Sequence, residues 1–338
     1  MSGKWLSLRW YGGWTGVLCM LLPVMAMAAN DATETRQWLD RMISAAHHLN
    51  YEGTFIYQHS GHLQTMQIVH SADEKGERER LISLSGPSRE VIRDQDTVTC
   101  ILPDNKSVMV EHAGPTRPSP FLLPTRLAEL EKYYRFTLLG ENRIAGRKVR
   151  ELSIQPRDAY RYGHRFWVDE QSGLMLKSEL LDEQGHQVEQ LVFTSVKFYD
   201  KVPPALLKAQ TEGKDFVWYR QNGTEDEDLE GDGHWRVRQS PPGFNKGLHR
   251  RHYMPTLKAP VEHLVFSDGL ASVSVFVETR GDSSASSHAL GAAKIGGANA
   301  YIRVIDGHRI TVVGEVPPLT VKQIAEAVVH REGASDDD

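Results

Sequence analysis

The sequence is poor in cysteine: Cys19 and Cys100 are its two thiols in 338 residues. Cys19 lies in an amino-terminal segment with the layout of an export signal, and a single remaining thiol closes no internal disulfide. Stability then has to come from an apolar core rather than from covalent staples. Cys100 falls in the strand-like run 97–102, where a buried apolar thiol is expected rather than a nucleophile. An excess of one charge is also missing. The formal net charge is −5, from 39 Lys+Arg and 44 Asp+Glu, which gives no global case for binding nucleic acid or an anionic membrane. Catalytic motifs are lacking too: there is no G-x-S-x-G elbow, no Walker loop and no H-E-x-x-H. No cysteine ligand set exists for a structural zinc. The expectation is therefore a protein that is not an enzyme, with no cofactor and no metal. His59 and His62 have H-x-x-H spacing but straddle a turn, which favours an exposed polar turn over a ligand pair. The acidic run 225–232 faintly resembles a calcium loop through Asp226, Asp228, Glu230 and Gly231, yet Val237 stands where the closing glutamate belongs.

The amino-terminal segment reads as a signal peptide. Lys4 and Arg9 start it, an apolar run 10–24 continues it, and Ala26-Met27-Ala28 supplies an A-x-A site, so cleavage is expected after Ala28. Leu18 before Cys19 argues against lipidation. Removing Lys4 and Arg9 takes the charge from −5 to −7. No later apolar run reaches membrane-spanning length.

Residues 31–50 read as a helix, opened by a capping box of Asp31 and Glu34, with Trp38, Met42, Ala45 and Leu49 at helical spacing. His47 and His48 suit the negative end of its dipole. The stretch 51–94 organises the amino-terminal half of the chain. It holds four strand-like runs: 53–59, closed by Ser60-Gly61; 62–70, closed by a charged turn; 79–84, closed by Gly86-Pro87; and 89–93. A hairpin over 97–102 and 107–111 continues the set. The loop 114–124 carries four prolines and the apolar triplet Phe121-Leu122-Leu123, which either tucks into a core or covers a cleft. A short helix after Pro124 places Leu127, Leu130 and Tyr134 on one face. Strands over 135–144, 147–155, 163–169, 174–181 and 187–198 complete the unit. Nine to eleven antiparallel strands are too many for a flat sheet, so curling toward a half-barrel is expected.

After a linker over 204–232, residues 233–332 read as a second unit. Strands are expected at 235–238, 247–253, 262–266, 271–278, 300–305 and 309–315, with Asp306-Gly307 as a two-residue hairpin turn. A capping box of Thr320 and Gln323 opens a helix packed through Val321, Ile324, Ala325 and Val328. Residues 280–297, rich in Gly, Ser and Ala, read as a loop, and 333–338 as a tail. His249-Arg250-Arg251-His252 is the one concentrated basic feature. A strand would split it, with Arg250 and Arg251 on opposite sides. It is either a solvated edge that prevents strand pairing or a docking site for acidic groups.

Several stretches resemble the RseB/MucB family of periplasmic sigma-E regulators: GTFIY at 53–57, GPSREVIR at 86–93, LLGENRIAGR at 138–147, PRDAYRYG at 156–163, VDEQSGLMLKSELL at 168–181, PPGF at 241–244, FSDGLASVSVFVE at 266–278 and VVGEVP at 312–317. The proline-rich loop, the Ser/Ala loop and the acidic run depart from that pattern. The resemblance implies an α+β protein in the periplasm. Its large curved antiparallel half-barrel (29–203) would be similar to the lipoprotein carrier LolA and receptor LolB, with an apolar cavity. Its smaller antiparallel domain with a carboxy-terminal helix (233–332) would help grip the periplasmic domain of a transmembrane anti-sigma factor. Binding would protect that factor from regulated proteolysis until lipid or lipopolysaccharide releases it. On this reading Phe55, Tyr57, Met66, Ile68, Leu81 and Trp167 line the cavity, Phe121, Leu122 and Leu123 form a lid, and Arg250 and Arg251 dock the partner. A periplasmic lipid or lipoprotein carrier is the alternative. The sequence leaves a homo-oligomer open.

Overall fold

A computed structural model of the chain describes residues 23–95, 97–112, 127–220, 227–228, 233–252, 260–279 and 290–331. The first helix, α1 (Pro23–His48), leads into β1 (Tyr51–His59), β2 (His62–Asp73), β3 (Gly76–Ser83), β4 (Glu90–Asp94), β5 (Thr97–Leu102) and β6 (Ser107–His112). The short α2 (Leu127–Leu130) precedes β7 (Tyr134–Ile144), β8 (Arg147–Pro156), β9 (Gly163–Asp169), β10 (Met175–Leu181) and β11 (Gln187–Phe198). With β12 (Val217–Arg220) these strands form one 12-stranded sheet, ordered β12-β6-β5-β4-β3-β2-β1-β11-β10-β9-β8-β7. Only β12 joins in parallel, on β6. The sheet is too long to stay flat. It curls until β7 approaches β11 across the concave side, and α1 lies in that hollow against β2 and β7.

The first core sits between the concave face and the two helices. It joins Leu39 and Met42 of α1, Leu127 and Leu130 of α2, and Phe55, Ile68, Leu152, Val168 and Phe193 of the sheet. Each such side chain contributes about 1.5–3 kcal/mol when fully buried. The α1 stripe centres on Leu39, Met42 and Ala46, with Trp38 only half-buried and stacked under the Arg41 guanidinium. Because the helix already begins at Pro23, Asp31 and Glu34 lie inside it rather than at its start.

Residues 204–220, expected as linker, belong to the first unit. Glu90, buried against Arg80 (Nε to Oε1 2.5 Å), accepts the backbone N–H of Gln210 at 3.1 Å. Arg80 in turn donates to the Leu206 carbonyl at 3.0 Å. A buried ion pair needs further hydrogen bonds to its remaining polar atoms. This segment supplies two of them, leaving Arg80 Nη2 buried without a hydrogen-bond partner, and then continues into β12.

In the second unit, β13 (Glu227–Asp228), β14 (Trp235–Val237), β15 (Asn245–His252), β16 (Val261–Ser267), β17 (Ser272–Thr279), β18 (Gly291–Ile295), β19 (Ala298–Ile305) and β20 (His308–Gly314) precede α3 (Pro318–Ala327) and β21 (Val328–His330). Seven of the strands form a sheet ordered β13-β15-β16-β17-β20-β19-β18, and β14 pairs with β21. Val275, Val312 and Ile310 meet Val321, Ile324 and Ala325 of α3 in its core. Two differences from the sequence reading stand out. Strand β18 lies inside the expected Ser/Ala loop, and β13 inside the expected linker. The box of Thr320 and Gln323 does not cap α3 either: Pro317 holds the N-cap position without a side-chain bond, and Pro318 supplies the first turn.

Candidate functional site

The concave face and the junction between the units are the two places where the fold gathers unusual chemistry. On the concave face, Phe55, Met66 and Ile68 are buried in the first core, and Tyr57 and Leu81 pack half-buried at its margin. Alternation along β1 puts Phe55 and Tyr57 on the same side. Trp167 is placed from β9 under the Lys177 ammonium, 4.2 Å from its ring, and its indole N–H is buried with no hydrogen-bond partner. Five of the six residues expected to line a cavity, Phe55, Tyr57, Met66, Ile68 and Leu81, therefore share one face of the sheet, whereas the register through Lys177 and Val192 to Ile56 puts Trp167 on the other. Phe121, Leu122 and Leu123 lie outside the described residues. Cys100, on β5, is half-buried, and burial pushes its thiol upward, away from thiolate chemistry.

The junction is a site that sequence pattern alone does not reveal. Arg161, in the PRDAYRYG stretch, is the largest fully buried side chain among the described residues. Its guanidinium pairs with Asp268 of the second unit (Nη1 to Oδ2 3.1 Å) and with Asp158 (Nε to Oδ1 3.1 Å). It also donates to the Pro242 carbonyl of the PPGF stretch. Tyr133 and Phe244 sandwich it at 4.7 and 5.1 Å, an arrangement that a planar delocalised cation fills better than an ammonium. Asp268 is held from three sides: it accepts Tyr134 Oη–H at 2.8 Å and the backbone N–H groups of Leu270 and Ala271. Burial beside Asp268 drives the Tyr134 phenol far above its usual range. Close by, burial lowers the His164 imidazole to about 4, with the Asp268 charge opposing.

The clasp extends in both directions. Leu270 packs into the first core and Tyr160 into the second. Asn299 donates to Tyr162 Oη at 2.9 Å and to the Val316 carbonyl at 2.8 Å. Thr320, expected as a cap, spends its hydroxyl on the Tyr160 carbonyl at 2.7 Å. The signal present in the sequence is the family resemblance of the stretches 156–163, 241–244 and 266–278, which marks each of them but does not say that they meet.

Arg250 and Arg251 lie on β15, away from that clasp in sequence. Their Cα partners on one side are Asp228 and Glu227 of β13, so the acidic run is in register with the basic pair. On the other side they face His263 and Glu262. The neighbouring His249 is buried and bonded to Glu262 at 2.6 Å, which holds the Glu262 carboxyl below its usual range despite burial.

Residues 34–211 match the model of the MucB/RseB N-terminal domain, and residues 230–329 that of the MucB/RseB C-terminal domain. The sigma factor AlgU regulatory protein MucB of Pseudomonas aeruginosa is 31% identical over 329 residues, covering 93% of this chain and 96% of that protein. The sigma-E factor regulatory protein RseB of Escherichia coli K12 is 28% identical over 303 residues, covering 86% of this chain and 89% of that protein. Among solved structures, the Pseudomonas aeruginosa MucA/MucB complex aligns with a TM-score of 0.68 at 28% identity, over 89% of this chain and 100% of the other. A crystal structure of MucB in complex with MucA(peri) aligns at 0.67 and 29%, over 88% of this chain and 100% of the other.

Proposed function

The chain belongs to the MucB/RseB family, and from that premise we propose that it is a periplasmic, non-enzymatic regulator of the envelope stress response. It binds the periplasmic part of a transmembrane anti-sigma factor and shields it from regulated proteolysis. The observation that carries this reading is the match across both units at once, including a solved relative bound to MucA. Among the described residues no helix is long and apolar enough to cross a membrane, which accords with a protein that works on a membrane-anchored partner from outside.

The release signal is a lipid, lipopolysaccharide included. The apolar surface of Phe55, Met66 and Ile68 is filled by α1 on one side, so an acyl chain enters by taking over contacts that α1 makes. Each Å² of acyl surface withdrawn from water contributes about 25 cal/mol. A ligand shifts affinity for a partner only if it distinguishes two arrangements of the protein. Moving α1 while the clasp around Arg161 stays intact is such a distinction. A carrier would need only the first unit and leaves the clasped second unit without a role.

The test is binding of the purified mature protein to the periplasmic segment of the organism's own anti-sigma factor, by surface plasmon resonance, with a protease-protection assay alongside. Saturable binding that slows cleavage is expected. Absence of binding at micromolar concentrations would rule the reading out.

A further inference from the structure

At the mouth of the concave face, three side chains from both units converge around a buried nitrogen that makes no hydrogen bond. His59 ends β1 and stands directly opposite Glu189 of β11 in the strand register. Glu315 comes directly after β20 of the second unit. His59 Nδ1 lies 3.3 Å from Glu189 Oε2 and 3.7 Å from Glu315 Oε1. One ligating atom from each of the three lies within 4.8 Å of the others. The Nδ1 atom is shut off from solvent and has no hydrogen-bond partner, although it points between two carboxylates. Unsatisfied buried nitrogen in a polar site calls for an explanation.

The surroundings fix these groups rather than merely crowd them. The turn after His59 uses Ser60 and Gly61 with positive φ, 51° and 78°, a two-residue hairpin geometry that sets the strand end. The His59 ring stacks on Tyr57, centroids 6.0 Å apart and 7° from parallel. Its other edge lies on Gly297 of the second unit, where an added Cβ would stand 2.1 Å from Nε2. Glu189 Oε2 accepts the Tyr57 hydroxyl at 2.9 Å. A ligand carboxylate is oriented by such an outer bond. Two carboxylates this close need a cation or a shared proton between them.

We propose that His59, Glu189 and Glu315 bind one divalent transition-metal ion of the zinc class, which bridges the two units at the mouth of the concave face. The spacing suits that chemistry. Nitrogen and oxygen ligands sit about 2.0–2.2 Å from zinc, so neighbouring ligands of a tetrahedral site stand about 3.4 Å apart. The 3.3 and 3.7 Å separations bracket that value. One imidazole with two carboxylates favours zinc over calcium or magnesium, which prefer all-oxygen shells. Glu315 is about half exposed, 46% of its side chain, which leaves an entry path and a fourth position for water. The ion would tie β1 and β11 to the second unit beside the apolar surface, so metal supply would set how readily the units part there.

The probe is Zn2+, titrated calorimetrically into the untagged, chelator-stripped mature chain, with Ca2+ and Mg2+ as controls. One Zn2+ per chain, a raised Tm, and at least a tenfold loss of affinity in Glu315→Gln and in His59→Gln are expected. Glu315→Gln is isosteric and half exposed, so its fold is checked by circular dichroism. As a second readout, Co2+ loading should give a tetrahedral visible spectrum that Glu315→Gln abolishes. Absence of saturable Zn2+ binding overturns the proposal, as does equal binding by the variants. A Tm that responds to pH but not to Zn2+ also overturns it, because a shared proton then suffices.

Discussion

Arg161 of the first unit and Asp268 of the second form an ion pair with no exposed side-chain surface on either partner. Two charges withdrawn from water are a poor source of net stability, but removing one of them is expensive, because the other stays buried and uncompensated. Arg161→Met keeps much of the volume and abandons Asp268, whose other oxygen is committed to the Leu270 and Ala271 N–H groups. The expected cost is about 3–5 kcal/mol, concentrated at the junction. Thermal unfolding should split into two transitions, and proteases should cut between the units. Arg161→Lys should recover only part of the loss, since an ammonium cannot fill the slot between Tyr133 and Phe244. A single unchanged transition in Arg161→Met would show that the clasp does not couple the units.

His164 gives the junction a pH dependence. Its imidazole is lowered from 6.5 to about 4, chiefly by burial. The unfolded chain therefore takes up a proton at a pH where the folded chain does not. The contribution is whole above pH 6.5 and is lost progressively as pH falls from 6.5 to 4, below which it no longer changes. It amounts to roughly 1–3 kcal/mol. Denaturant titrations at about pH 7, 5.5 and 4.5 should show the decline, and His164→Gln should flatten it above the range where carboxylates titrate. Asp169 and Glu262, both held below their usual range, add a separate loss at lower pH.

Much of the fold is legible in the sequence because period and punctuation agree. Phe55 and Tyr57 alternate, Ser60-Gly61 and Asp306-Gly307 adopt positive φ at their turns, and α3 shows its buried stripe directly. The strands that escape a sequence reading are short, at an edge, or poor in β-formers. The sequence of β12 is Val-Trp-Tyr-Arg, but an adjoining acidic run masks it, and β18 is Gly-Ala-Ala-Lys-Ile. Thr320 is ambiguous in sequence because the same hydroxyl can cap a helix or bond a carbonyl on a neighbouring unit. Arg161 and Asp268 are legible only as members of two family-like stretches. Nothing in a one-dimensional pattern says that a charge will be buried against another far along the chain. His59 pairs naturally with His62 in sequence, its neighbour across the turn, whereas the groups it meets are Glu189 and Glu315.

Trp167 offers a control for the concave face, because the strand register places it on the opposite side of the sheet from Phe55. Its buried N–H has no hydrogen-bond partner, and an orphaned donor costs about 1–3 kcal/mol. Trp167→Phe removes that donor and leaves some space, so stability should change by less than about 1.5 kcal/mol. If acyl chains enter the concave face, brominated phospholipid should quench the parent protein and Trp167→Phe alike. A quenched component missing from Trp167→Phe would place the lipid on the opposite face and remove Phe55, Met66 and Ile68 from consideration.

The pair Arg250 and Arg251 bears on how the partner is held. Both lie on β15 with their backbone in register with Asp228 and Glu227, so a piece of the chain's own acidic run already occupies that strand edge. A competing acidic partner segment must displace or extend that arrangement. Charge-assisted contacts of this kind steer association and fade with salt. Arg250→Glu with Arg251→Glu should weaken binding of the anti-sigma segment about tenfold or more at low salt, mainly through a slower on-rate, and the difference should shrink at high salt. Surface plasmon resonance at two ionic strengths separates these effects. If the doubly reversed protein binds like the parent at both, the basic strand serves only to guard a sheet edge, and the grip must come from the junction around Arg161.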